Sequence, residues 1–200
     1  GSLTDVLESL RLTTFSGLSN LKRIMAECGL DLVETPGMEL DESLLAQFAG
    51  LMVISPTKEF NSTEIDTIRS FSAEGGKLVV FGDYEDRANL TALNLLLNPY
   101  GYEMHGKHTN ENTTEIVAGA SLTRDVQSIW LGGGTYIYHN QSLAAATVAG
   151  LPVVLLDSSD PELVIFSSSR IFMNKNIVKC NNSVLLGNLN EFFLVSTVSG

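Results

Sequence analysis

The sequence predicts an α/β fold: a three-layer sandwich with a mostly parallel central sheet and a C-terminal antiparallel hairpin. Three observations predict it. Two apolar runs, Gly50-Leu51-Met52-Val53-Ile54 and Lys77-Leu78-Val79-Val80-Phe81, each stop at turn residues (Ser55-Pro56 and Gly82-Asp83), as strands buried on both faces do. Between them Ile65, Ile68 and Phe71 recur at helical spacing, with Gly75-Gly76 as the stop. Strand and helix alternate through short connections, the order that a parallel sheet covered on both faces requires. The chain of 200 residues is read as one domain, 1–200, long enough to bury well over half of its unfolded surface.

Each element has its own signal. Leu18, Leu21, Ile24 and Met25 mark a helix that Gly29 ends, and Leu30-Asp31-Leu32-Val33 reads as a short strand. Asp41 is placed to cap a helix with Leu44, Leu45 and Phe48 on one side, and Ser62 or Thr63 to cap the helix after the first buried run. Ala88 to Leu97 predicts a helix broken before Pro99, with Tyr102 on an extended segment. Residues 107–115 are polar and read as a loop. Short extended pieces follow near Glu115–Val117, Ser128–Leu131 and Thr135–Tyr138. Val153–Leu156 and Leu163–Phe166, separated by Asp157-Ser158-Ser159-Asp160-Pro161, predict the hairpin, and Ser183 to Val195 the closing helix.

Composition excludes several classes. Apolar residues are 44% and charged residues 18%, which disordered chains are not. Two Cys and five Pro exclude a disulfide scaffold and a collagen-like chain. Twelve Lys+Arg against 23 Asp+Glu give a net charge of −11, which disfavours a nucleic-acid partner. The longest nearly apolar stretch, Leu143 to Leu156, is too short for a membrane span of about 20 residues, and no signal peptide opens the chain. The opening Gly1-Ser2 reads as an artificial start, so the chain is expected to be a piece of a longer protein.

The stretch from Gly50 to Asp83, with its strand, polar turn, helix beginning near Ser62-Thr63-Glu64, Gly-Gly stop and second strand ending in Gly-Asp, resembles non-catalytic class I glutamine-amidotransferase-like domains. Ala92 to Leu97 with Tyr100-Gly101-Tyr102, and Val164 to Ser169 with Phe172-Met173-Asn174 and the helix of Asn182 to Phe193, extend the resemblance loosely over most of the chain. It implies a flavodoxin-like or amidotransferase-like fold. It also implies an auxiliary or scaffold role, as in domains of transport and gliding systems, a lumenal oligosaccharyltransferase subunit and intraflagellar-transport proteins.

The candidates for chemistry are few. Cys28 lies late in a helix and Cys180 in a polar segment; neither has the strand-to-helix elbow and His base of an amidotransferase nucleophile, and Cys28 is expected to be buried. Ser55 at a strand end lacks a G-x-S-x-G setting and is followed by Pro56; Ser167-Ser168-Ser169 reads as a hydroxyl-lined turn. Asp83-Tyr84-Glu85-Asp86 has the oxygens for a hard cation, but reads first as a helix N-terminus, where acids suit the dipole. Glu103, His105, His108 and Glu111 have ligand chemistry, but read as loop residues. Gly132-Gly133-Gly134 lacks the Lys-Ser/Thr of a phosphate loop. Tyr84, Tyr100, Trp130, Tyr136 and Tyr138 are core aromatics first and stacking groups second. Five N-x-S/T sequons, at Asn61, Asn89, Asn112, Asn140 and Asn181, exceed the chance expectation of about 2.5 and lean toward an extracytoplasmic or lumenal location, although helix capping accounts for several.

The function expected is a non-catalytic binding or scaffold domain of a larger assembly, with a protein partner and no cofactor or metal. A membrane anchor outside the chain and a small ligand are both compatible with it. The alternatives are a hydrolase or amidotransferase-like enzyme with a strand-end cleft, and a carbohydrate- or small-ligand-binding domain. Any ligand should meet the edge where parallel strands end, which would carry Ser55, Thr57, Asp83 and Tyr84. With no basic residue expected there beyond Lys58 and Arg87, a neutral polar group or a protein loop fits better than a strong anion.

Overall fold

A computed structural model describes residues 17–33, 40–56, 58–84, 88–109, 111–112, 115–139, 144–159 and 162–195. In chain order the elements are α1 (Ser19–Glu27), α2 (Glu42–Leu45), β1 (Gly50–Ile54), α3 (Ser62–Ala73), β2 (Lys77–Phe81), α4 (Leu90–Leu97), β3 (Tyr102–His108), β4 (Glu115–Ile116), β5 (Gly134–His139), β6 (Ala144–Val148), β7 (Leu151–Asp157), β8 (Leu163–Phe166) and α5 (Asn182–Leu194). Single 3-10 turns lie at Asn98–Tyr100, Ser121–Thr123 and Ser169–Phe172.

The capping chemistry sets where helices start. Asp41 Oδ1 accepts from the Leu44 amide at 2.7 Å, as its position before α2 implies. The cap of α3 is Asn61, one residue before the Ser62 or Thr63 expected: Asn61 Oδ1 accepts from the Glu64 amide and Glu64 Oε2 accepts from the Asn61 amide, both at 2.9 Å. Asn89 caps α4 with a single bond, its Oδ1 accepting from the Ala92 amide at 3.1 Å. Pro99 then converts the helix end into a 3-10 turn that Gly101 closes at φ 83.

The main sheet has the order β1-β2-β8-β7-β6-β4, and β3 pairs with β5 as a separate antiparallel ribbon. The sheet is mixed. β1, β2 and β8 run parallel; β8, β7, β6 and β4 are joined antiparallel. The parallel character expected for most of the sheet is thus confined to three strands. The reason lies in the connections: no helix separates β6, β7 and β8, and strands joined by short turns must run antiparallel. Strand β6 itself was not expected. Leu143 to Leu156 looks like one interrupted apolar stretch, but Ala149 and Gly150, with φ 50 and 76, fold it into a tight hairpin.

Apolar cores cover both faces of the sheet. Val79, Phe81, Val164 and Phe166 face α1 and α5 through Leu21, Met25, Leu185, Leu189 and Phe193. Leu78, Val80, Leu163 and Ile165 face α2, α3, α4 and the ribbon through Leu45, Ile68, Leu93, Leu96, Met104 and Ile137. β2 is buried along its whole length. β1 pairs with β2 in parallel as expected, but among the described residues it is the edge strand, and Leu51, Met52 and Ile54 are only half-buried. Leu30 to Val33 forms no strand beside it; Leu30 and Leu32 pack against the core as irregular chain instead. An apolar run reports that both faces meet side chains, not that both edges meet strands. Similarly, Ser128–Leu131 contributes only an isolated bridge from Trp130 to Asn112.

Candidate functional site

Because β2 and β8 are parallel and in register, they end together, with Phe81 opposite Phe166 and their rings stacked 4.8 Å apart. Their continuations stay tied. The Gly82 amide donates to Phe166 O at 2.8 Å, and the Ser169 amide donates to Gly82 O at 2.7 Å. β1 ends beside them: the Ser55 amide donates to Phe81 O at 3.0 Å, and Ser55 Oγ to Gly82 O at 3.3 Å. This edge therefore brings Ser55, Asp83 and Tyr84 together, as the sequence implies. Thr57, Glu85, Asp86 and Arg87 lie outside the described residues.

Asp83 is buried at 5% exposure and fully engaged. Its Oδ1 accepts from the Tyr84 amide at 2.8 Å and its Oδ2 from Ser169 Oγ at 3.2 Å, while Arg170 Nε stands 3.6 Å from Oδ1. The Arg170 guanidinium reaches on to Gly132 O through Nη1 at 2.9 Å and lies 4.6 Å from the Tyr84 ring. Among the described residues, its Nε and Nη2 have no hydrogen-bond acceptor. Lys107 Nζ lies 4.6 Å from the same ring. The expectation that no basic residue joins Lys58 and Arg87 at this edge is corrected: Arg170 and Lys107 also come to it. The Asp83 carboxylate serves an ion pair with Arg170.

The remaining candidates are placed elsewhere. His105 and His108 lie on β3, not in a loop, and alternation along the strand leaves His105 exposed and His108 buried. His105 stacks on Tyr138 at 3.6 Å between ring centroids, and His108 tilts over Tyr136 at 5.1 Å. Among the described residues, no three His, Cys, Asp or Glu side chains are grouped to hold a metal ion. Tyr100 shares a 2.8 Å hydrogen bond with Ser72, and burial raises its pKa above the ordinary value. Both cysteines are free and exposed, contrary to the burial expected for Cys28, which follows the last turn of α1 and faces solvent. Cys180 Sγ donates to Asn112 Oδ1 at 3.6 Å. Capping fully explains the sequons at Asn61 and Asn89, and Asn181 Oδ1 accepts from the Gln127 and Ser128 amides. A shallow surface depression of about 610 Å³ lies along residues 116–127, away from the strand-end residues.

Sequence reasoning missed Arg170. The signal available was weak: an Arg that follows three serines after a buried strand, 87 positions from its partner in the chain. It also missed the asparagines of α5. Asn182 Nδ2 donates to the carbonyls of Trp130, Ile171 and Asn176, and Asn188 Nδ2 to those of Leu122 and Arg124. These side chains hold the 121–132 loop and the turn after β8 in place, and so fix where Gly132 and Arg170 meet.

No family model and no curated protein matches the chain. Among solved structures it is similar to the mmIFT52 N-terminal domain, at 13% identity and TM-score 0.75, covering 94% of this chain and 95% of that one. It is similar to a cytoplasmic protein from Salmonella typhimurium LT2, at 13% identity and TM-score 0.67, over 96% and 87% of the two chains. A putative ThuA-like protein from Bacteroides uniformis ATCC 8492 is similar at 13% identity and TM-score 0.54, over 90% and 83%. At these identities the likeness establishes the fold alone: a mixed α/β sandwich with neighbours among class I glutamine-amidotransferase-like folds.

Proposed function

We propose that the chain is one α/β domain, 1–200, acting as a non-catalytic binding or scaffold module within a larger protein assembly. The observation that carries this reading is the strand-end edge. Where open α/β sheets hold their ligands, this chain places its own Arg170, paired to Asp83 and lying against Tyr84. Ser55 Oγ donates to a backbone carbonyl there. The likeness to the mmIFT52 N-terminal domain over nearly the whole of both chains supports a unit of this size within a longer protein. The edge of Ser55, Asp83 and Tyr84 is then a structural closure, with its outer surface available to a partner.

One observation favours an enzyme as the second reading: Ser55 has φ 42 at a strand terminus, the strained turn on which nucleophile elbows are built. A fluorophosphonate probe for activated serines, with a thermal-shift screen of nucleotides, sugars and divalent ions, separates the two. The scaffold reading expects no labelling and no ligand-dependent shift. A tenfold excess over Kd stabilises by about 1.4 kcal/mol, so millimolar ligand is needed. Labelling that Ser55→Ala abolishes, or a clear shift with a nucleotide, overturns it.

A further inference from the structure

We propose that this edge docks an acidic segment of a partner protein, on a ridge formed by Lys179, Trp130, the Gly132-Gly133 turn, Tyr84 and Lys107. The proposal rests on the non-catalytic reading above and names the partner chemistry for the same edge. Gly132 and Gly133 have φ 72 and 78, which L side chains rarely adopt. A Cβ on Gly132 would sit 2.6 Å from Trp130 Cζ3, and one on Gly133 would collide with the Tyr84 hydroxyl. The turn is thus pressed between two aromatic rings. Each ring carries an exposed lysine on its face: Lys179 Nζ lies 3.9 Å from the Trp130 centroid and Lys107 Nζ 4.6 Å from that of Tyr84. Val178, next to Lys179 in the chain, is 78% exposed.

Charge selects the occupant. The chain has 12 basic residues against 23 acidic ones, yet Lys107, Lys179 and Arg170 all converge on two neighbouring rings. Asp83, beneath them, is buried against Arg170, while Glu111 borders the turn through its carbonyl, which accepts from the Gly132 amide at 3.2 Å. The two exposed ammonium groups offer positions for carboxylates, and the rings offer contact to an apolar side chain between them.

The test uses a fluorescein-labelled peptide of four glutamates, one phenylalanine and four more glutamates, with its all-glutamine counterpart, and reads fluorescence anisotropy at low and physiological salt. The expected result is salt-sensitive binding of the acidic peptide only, weakened at least about tenfold in Lys107→Glu/Lys179→Glu and restored in Lys107→Arg/Lys179→Arg. A control of equal net charge, Arg23→Glu/Arg69→Glu, changes exposed sites on helices and should bind as the wild type does. Equal loss in the control, tighter binding of a single-stranded oligonucleotide, or a concentration-dependent dimer that excludes the peptide would each overturn the proposal. Absence of peptide binding with no fluorophosphonate labelling would sink the docking surface alone. Labelling of Ser55 would sink the scaffold reading beneath it.

Discussion

Strand β2 is fastened to β8 at both ends by ion pairs of opposite polarity. Where the strands begin, Lys77 meets Glu162; after them, Asp83 meets Arg170. The first pair is in direct contact, with the Lys77 side chain 5% exposed and its ammonium also 4.8 Å from the Phe192 ring. The second is spread out. Asp83 is held by an amide and a hydroxyl as well as by Arg170, and Arg170 divides itself between a carboxylate, a carbonyl and a ring while leaving two nitrogens without an acceptor among the described residues. The difference teaches which end can change partners. A bare contact pair closes a sheet and does nothing more. The distributed cluster has two guanidinium nitrogens to spare among the described residues, and it lies where α/β sheets expose their ligand sites.

The largest effect should come from breaking the distributed pair. Asp83→Ala leaves a guanidinium that is 16% exposed without its counter-charge, and should destabilise by about 3 kcal/mol, lowering Tm by roughly 6–12 °C. Asp83→Leu/Arg170→Met, which removes both charges, should recover most of that loss in thermal unfolding. A single mutant within about 1 kcal/mol of the wild type would show that the cluster does not act as a buried pair.

At the other end, Glu162→Gln should cost about 2–3 kcal/mol, because it strands a buried ammonium, while Lys77→Met should cost less, since Met replaces the alkyl stem and removes the charge. Denaturant titration of both variants checks the order; a larger loss in Lys77→Met would break the comparison. Gly133→Ala should cost about 1–2 kcal/mol through its positive φ and the displaced Tyr84, with a change in tyrosine and tryptophan near-UV signal that the other end does not show.

The smallest effect is a pH dependence at the Lys77–Glu162 end, where Tyr102 donates to the Asp157 carboxylate. Burial, then the bond to Asp157, raises the Tyr102 pKa above its ordinary 10.0. Burial pushes Asp157 up, but hydrogen bonds from Ser159 and Tyr102 outweigh it and hold the carboxyl below its ordinary 3.8. A raised pKa contributes stability that is complete below pH 10 and lost as pH rises beyond it; a lowered one contributes stability that is complete above about pH 4 and lost as pH falls through the folded value. Tyr102→Phe should flatten the alkaline limb of the stability–pH curve and reduce the acid limb without removing it, because Ser159 remains on Asp157. An unchanged alkaline limb would contradict this assignment.

Much of the frame was legible. Asp41 caps α2, Ile68 and Phe71 bury one face of α3, β2 is buried throughout, and β7 and β8 form the hairpin. Each of these rests on residues within a few positions of one another. Legibility failed where neighbours decide: β1 was read as fully enclosed and is an edge, Cys28 was read as buried and is exposed, and β6 was hidden because a two-residue turn inside an apolar stretch leaves little trace.

By itself the sequence determined the α/β class, the start and stop of most elements, and the presence of Ser55, Asp83 and Tyr84 at strand ends, because caps, turns and apolar periodicity act over a few residues. Only the tertiary structure decided what those residues do. The mixed sheet sets β8 beside β2, and that pairing alone brings Arg170 to Asp83 and, through the loop held by α5, Gly132 to Arg170. Ion pairs and ring contacts between distant segments follow from strand order and register, and neither is written in any local stretch of chain.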